Sequence, residues 1–301
     1  MKQREPLVTH IFTADPSAHV FDDKIYVYPS HDLAHDGEDD DEGGEYLMED
    51  YHVLSLDNLD ADCVDNGEAI HMKDIPWVGK QMWAPDCVRK DGKYYLYFPA
   101  KDHNDIFHIG VAVSDSPVGP FKGEDNYMEG SMSIDPCVLM DDDGRYYMYN
   151  GGLWGGQLER WMTGSYVENP AEIPADAAAL GPFFAELSDD MKSFKTAPKM
   201  VTILDENGEP IKAGDEDRRY FEGPGCTSTT DFTTCHIQPE PPIILYMLPV
   251  RAPRVPSPTE AGSWSPLSAG PPTTRSSSIT ESGISSIMTV SFQTVLTTEE
   301  T

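Results

Sequence analysis

Three acidic residues stand where the neighbouring chain would aim a side chain rather than leave it merely solvated. They are Asp15 in Thr13-Ala14-Asp15-Pro16-Ser17, Asp135 in Ser133-Ile134-Asp135-Pro136-Cys137, and Glu222 in Phe221-Glu222-Gly223-Pro224. Each follows an apolar or small residue, and a proline within two positions fixes φ and removes a backbone donor. Cleavage of a glycosidic bond needs one carboxylic acid to protonate the leaving oxygen and one carboxylate to act on the anomeric centre or its water. Three aimed carboxyls suit that chemistry. An isolated Asp-Pro pair is only a turn signal, so the reading rests on the three together.

Strands must position these acids, and the sequence is rich in strand signals. Lys24-Ile25-Tyr26-Val27-Tyr28, Lys93-Tyr94-Tyr95-Leu96-Tyr97 and Arg145-Tyr146-Tyr147-Met148-Tyr149 are runs of β-branched and aromatic residues, each opened by Asp or Asp-Gly turn chemistry. We read Asp23-Lys24, Asp91-Gly92 and Asp143-Gly144 as tight hairpin corners. The runs recur at spacings of 69 and 52 residues, which suits a four-stranded blade with loops of varying length. Val111-Ala112-Val113-Ser114, with Gly119-Pro120-Phe121 after it, reads as a later strand and turn of one blade. No long helical period competes, so the expected fold class is all-β, a propeller.

Charge narrows the partner. The 301 residues carry 52 acidic and 21 basic side chains, a formal net charge of −31. Such a surface repels phosphate backbones and anionic lipid, so nucleic acid and membrane surfaces are excluded as expected partners and a neutral ligand is favoured. No apolar run is long enough to span a bilayer, and Met1 to Pro6 is charged with no apolar stretch behind it; cytoplasmic localisation is the expectation. Five scattered cysteines without a Cys-x-x-Cys pair indicate buried thiols rather than a disulfide frame or zinc site.

In order along the chain, Ala14-Asp15-Pro16, Trp83-Ala84-Pro85-Asp86, Ser133-Ile134-Asp135-Pro136 and Glu222-Gly223-Pro224, with Asp-Gly-x-Tyr-Tyr strands between them, resemble glycoside hydrolase family 43. The resemblance covers about the first 224 residues. It implies a five-bladed β-propeller with its active site at one end of the central channel, and inverting hydrolysis of xylosyl or arabinosyl linkages. Carried onto this chain, it makes Asp15 the general base, Glu222 the general acid, and Asp135 the carboxylate that raises and orients Glu222. Trp83 would line the sugar site. Trp154, in Gly151-Gly152-Leu153-Trp154-Gly155-Gly156-Gln157, and Asp50-Tyr51-His52-Val53 look closest to exo-xylosidases acting on xylo-oligosaccharides, and Trp154 is taken as a second substrate-binding residue. The expected function is exo-1,4-β-xylosidase, with α-L-arabinofuranosidase or an inactive carbohydrate-binding propeller as the alternatives. No cofactor is expected to be required. The family's structural calcium is possible, but the histidine beside it is absent from this reading frame.

Composition breaks near position 225. Residues 225–301 hold 14 Thr, 12 Ser and 10 Pro, no Lys, and three Arg against six acids, with none of the strand alternation seen upstream. The first 224 residues hold the remaining 46 acids and 18 bases. Read from the third base of each codon, the segment from Gly225 permits Trp-Met-His-Lys-Tyr-Asn-Gly-Leu-Tyr-Tyr-Leu-Ser-Tyr-Ser-Thr-Gly, the strand and Asn-Gly turn of a further blade. In the same frame, residues 282–290 permit Trp-Tyr-Leu-Phe-Tyr-His-Asp-Ser, one more such strand. We therefore expect a one-base frameshift at the Gly225 codon, from a sequencing error or a pseudogene. On that reading residues 1–224 are an incomplete catalytic propeller, about three blades and the start of a fourth, and residues 225–301 form no genuine domain.

The remaining features read as structural. Asp32 to Asp50 carries ten acids and no Lys or Arg, but lacks the ligand order of an EF-hand and is read as a solvated loop between strands. Nine histidines show no metal-binding spacing and are read as mostly structural, His236 carrying no function. Gly151-Gly152 and Gly155-Gly156 form no phosphate loop, since no Lys-Ser or Lys-Thr follows.

Overall fold

Hairpin corners start the architecture. In the computed structural model, Asp22 and Asp23 both take positive φ (50° and 63°), as do Asp91 and Gly92 (52° and 77°), the left-handed pair that lets a two-residue turn follow strand twist. The first corner is thus Asp22-Asp23 rather than Asp23-Lys24, because Lys24 already pairs with Phe21 in the ladder. The third turn, longer, closes with the Gly144 amide donating to the Asp141 carbonyl at 2.8 Å, while Asp143 lies outside the described residues. The structure describes residues 6–34, 40, 42–141, 144–205, 207–229, 232–239 and 246–250, with side chains through position 225.

Four antiparallel sheets follow in chain order. The first joins β1 (Phe12–Phe21), β2 (Lys24–Asp32), β3 (Asp50–Leu56) and β4 (Val64–His71). The second has β5 (Val78–Lys80) and β6 (Asp86–Lys90) on one side of β7 (Lys93–Asp102), then β8 (Phe107–Ser114) and β9 (Lys122–Gly123). The third joins β10 (Cys137–Met140), β11 (Tyr146–Asn150), β12 (Phe183–Glu186) and β13 (Lys199–Met200). The fourth pairs β14 (Tyr220–Thr229), β15 (Phe232–Pro239) and β16 (Tyr246–Val250). All three repeated aromatic runs are second strands of their sheets (β2, β7 and β11), and Val111–Ser114 ends the third strand of its sheet. The strands β1, β6, β10 and β14 stand next to one another in that order, as the inner strands of propeller blades do.

Period-two alternation explains how the blades stack. Along β7, Tyr94, Leu96 and Phe98 face the first blade, where they join Tyr28, Tyr51, Val53 and Ile70 in one buried cluster. Tyr95 and Tyr97 face the third blade and pack with Val138, Tyr146 and Met148. The strand aromatics are interblade core, as their pattern predicts. Truncating a buried one such as Phe98 to alanine would cost about 3–5 kcal/mol.

Backbone strands continue past Gly225, through β14, β15 and β16, where the sequence shows no alternation. Ladder pairing from the start of β14 supplies a template that alternation does not, since backbone hydrogen bonds form whatever the side chains.

Candidate active site

Each of the three acids sits at an irregular point of its blade's inner strand or just before it. Asp15 has φ 43° and lies in a bulge of β1 between Ala14 and Ser17. Asp135 has φ 55° and precedes β10. Glu222 lies in β14 between two register shifts, and the residue after it, Gly223, has φ 63°. Left-handed backbone is tolerated by Asp and Gly at a cost in strain, and it turns a side chain out of the regular pleat. Tight corners beside proline, read from the sequence as aiming devices, have this conformation.

The acids meet. Desolvation in the crowded cleft is the largest influence on all three, although Asp15 is exposed and Asp135 and Glu222 are half-buried, and each is raised above the ordinary carboxylate range. Asp135 is lifted further by the charges of Glu222 and Asp15, Glu222 by Asp15, and Asp15 by Asp32. Glu222 is pushed up to about 7. One contact favours ionised Asp135: the Gly223 amide donates to its Oδ2 at 3.0 Å. Three desolvated carboxyls within electrostatic reach of one another retain a proton near neutrality, so one of them is held as an acid while another is free to be a base.

A glycine-rich segment braces the set. The Gly151 amide donates to the Ile134 carbonyl at 2.7 Å, and the Leu153 amide donates to the Phe221 carbonyl at 2.9 Å. Ser133 Oγ accepts from the Gly152 amide at 3.0 Å and donates to the Gly156 carbonyl at 2.6 Å. The Tyr220 hydroxyl donates to the Gly151 carbonyl. A Cβ on Gly152 would lie 2.6 Å from Ile134 Cδ1 and 3.2 Å from Glu222 Cβ. The double glycines therefore let the Asp135 loop approach the Glu222 strand. Two Gly-Gly pairs four residues apart were the sequence signal, though not of a phosphate loop.

Trp83 packs against Gly43, and the turn that carries Trp154 approaches Glu42 and Gly43 through Gly155. A Cβ on Gly43 would lie 2.6 Å from Trp83 Cη2, and one on Gly155, next to Trp154, would lie 3.5 Å from the Glu42 carbonyl carbon. Trp83 Nε1 donates to the Tyr46 carbonyl at 2.9 Å, Gln81 Nε2 to the Gly43 carbonyl at 2.6 Å, and Arg160 Nη2 to Glu42 Oε1 at 2.5 Å. The described part of the acidic segment, residues 40 and 42–49, is thus fastened across two other blades rather than simply solvated; residues 35–39 and 41 lie outside the described residues. Trp154 is 40% exposed, its ring lies 5.4 Å from that of Phe221, the neighbour of Glu222, and the Arg219 guanidinium lies over the Trp154 ring, 5.4 Å from its centroid.

A fourth acid has a different use. Asp86 opens β6 at the inner-strand position and is buried. His19 Nε2 from the first blade meets its Oδ1 at 2.6 Å, and the Val138 amide from the third donates to its Oδ2 at 2.6 Å. It fastens three blades together. The Trp83-Ala84-Pro85-Asp86 motif marked this residue, but only the ladder shows its role. The resemblance places the histidine beside a channel calcium in the stretch after position 225, where this reading frame does not supply it and where the side chains lie outside the described residues.

Carboxyls turned out of the inner strands of a β-propeller and raised by one another's charges are the groups that cleavage of a glycosidic bond requires. The sequence profile of Glycosyl hydrolases family 43 matches residues 4–202, and the chain belongs to that family. It is 54% identical over 226 residues to Xylosidase/arabinosidase 43A of Humicola insolens, covering 72% of this chain and 69% of that protein. It is 50% identical over 221 residues to a Xylosidase/arabinosidase of Bacteroides ovatus, covering 73% and 68%. Among solved structures, a family 43 β-xylosidase/α-arabinofuranosidase from a compost microbial metagenome, in complex with xylotriose, superposes with a TM-score of 0.77 at 54% identity over 79% of this chain and 73% of that one. The fold is accordingly that of a five-bladed β-propeller, of which the described residues build three blades and begin a fourth.

Proposed function

We propose that this glycoside hydrolase removes terminal xylosyl units from hemicellulose oligosaccharides by single displacement with inversion, as an exo-1,4-β-xylosidase. The observation that carries this is the trio Asp15, Asp135 and Glu222, near enough for their charges to raise one another, with Glu222 pushed up to about 7. Glu222 protonates the leaving oxygen. Asp15 takes the proton of the attacking water on the opposite face of the sugar. Asp135, held by the Gly223 amide, and Glu222 repel each other's charges, so that with Asp15 beside them the pair retains a proton. Trp83 and Trp154 supply apolar ring faces for the sugar, and the net charge of −31 suits a neutral substrate. The names of the relatives, xylosidase/arabinosidase in both, support a pentose substrate and leave α-L-arabinofuranosidase as the second activity.

The test compares an aryl β-xyloside with an aryl α-L-arabinofuranoside, following the anomer first released by NMR. Faster xyloside turnover with inversion is expected; retention, or no turnover of either substrate by a frame-restored chain, sinks the proposal. We further propose that residues 225–301 arise from a one-base shift at the Gly225 codon. That reading favours an alternative in which the literal chain is an inactive sugar-binding remnant. Resequencing the DNA decides: an intact given frame, with stops in the other, overturns the shift.

A further inference from the structure

The first blade carries a second cluster of chemically active side chains, on the face of the sheet opposite the interblade core. His31 on β2 and Asp50 and His52 on β3 each offer a ligand atom such that all three lie within 4.8 Å of one another. His31 Nδ1 meets Asp50 Oδ1 at 2.6 Å, and the two imidazole rings stand edge to face at 5.0 Å. His52 Nδ1 meets both oxygens of Asp65, at 2.9 and 3.1 Å. Asp65 is itself held by the Gly67 amide at 2.8 Å and by His10 Nε2 at 2.7 Å.

The chemistry of this arrangement is more specific than a set of ion pairs. Both Asp65 oxygens face donors, one accepting from the Gly67 amide and the two together facing His10 and His52. His52 Nδ1 therefore carries the proton, and Nε2 keeps its lone pair. A carboxylate gripping the remote nitrogen of an imidazole is the arrangement that orients a histidine ligand and raises its basicity. Asp50 and His52 are two residues apart on one strand, so they share a face, and His31 joins them from the paired strand through the β2–β3 register. The ligands thus stand on rigid ladders rather than loops. Their side chains are 14–18% exposed, enough to admit an ion and too little for free solvation.

We propose that His31, Asp50 and His52 bind one divalent transition-metal cation, with Asp65 as the residue that positions His52. Two imidazoles and one carboxylate match zinc, leaving further coordination positions for water. The strongly acidic chain raises the local cation concentration. Its role is structural: it would join β2 to β3 behind the strand that carries Asp15, since His31 pairs with Thr13 on β1.

The 301-residue chain, stripped of metal with chelator, is titrated with Zn²⁺ by calorimetry and followed by thermal unfolding. One equivalent bound and a midpoint raised by several degrees are expected, and Co²⁺ should give the visible d–d bands of nitrogen and oxygen ligation. His31→Gln and His52→Gln abolish these effects, while Asp65→Asn weakens binding by about 10- to 100-fold. Circular dichroism separates lost binding from lost folding. Absence of saturable binding to the unaltered chain, or binding unchanged in the His31→Gln, His52→Gln double variant, overturns the proposal.

Discussion

The Gly223 amide donates to Asp135 Oδ2 at 3.0 Å, so the residue that turns the chain after Glu222 also holds the acid of the neighbouring blade. One backbone group thereby fixes the spacing of two carboxyls 87 positions apart in sequence. Their mutual repulsion is part of what keeps a proton in the site.

Activity should report that proton. With Glu222 held at about 7, turnover of an aryl xyloside is expected to fall as pH rises through about 7, where the acid ionises. Glu222→Gln should lower turnover by about 10²- to 10⁴-fold. Asp135→Asn removes a like charge and should move the alkaline limb of the profile to lower pH. A limb that stays in place removes Asp135 from the role proposed for it.

Stability should move in the opposite sense to that of a salt-bridged acid. A carboxyl whose folded pKa is raised binds its proton more tightly when folded, so its contribution is fully present below its ordinary value, 4.5 for Glu222, and is lost as pH rises through about 7. Glu222→Gln escapes this loss. At pH 8 it should be more stable than the unaltered chain by about 1–3 kcal/mol, with little difference at pH 4.5. Denaturant midpoints at the two pH values measure it.

Asp86 should matter for folding, not chemistry. Asp86→Ala removes the acceptor of the buried Val138 amide and the contact with His19, and should cost about 1–3 kcal/mol. If chemical denaturation shows a loss below about 1 kcal/mol, comparable with an exposed pair, the interblade tie is not a stabilising one.

Gly152→Ala tests the brace. Its Cβ would press Ile134 and reach the Glu222 side chain, so the Asp135 loop and the Glu222 strand must separate. A stability loss of about 1–3 kcal/mol is expected from overpacking. Turnover should fall while KM changes little, because the acids move more than the tryptophans. Unchanged turnover would show that the two acids tolerate a wider separation.

How much of this was legible beforehand can be judged from particular residues. Aromatic alternation in Lys93-Tyr94-Tyr95-Leu96-Tyr97 named both faces of β7 before any neighbour was known, because strand side chains alternate with period two. The setting of Asp15, Asp135 and Glu222 beside proline and small residues marked them as aimed, and the structure brings their charges together. Local chemistry was enough in both cases, since each signal is carried by residues within a few positions.

Asp86 was different. It stands at an inner strand like the three acids, yet it lies in the pleat and grips two other blades, a distinction made by register rather than residue type. The histidines showed no metal spacing, but pairing of β2 with β3 sets His31 beside Asp50 and His52. Arg160 reaches Glu42 across 118 positions. Sequence by itself determined the aromatic second strands of the first three blades, their faces, the family resemblance and which acids turn out of their strands. Only tertiary structure decided which polar groups meet, because contacts between blades depend on ladder register and on the stacking of one sheet against the next, and neither is encoded by spacing along the chain.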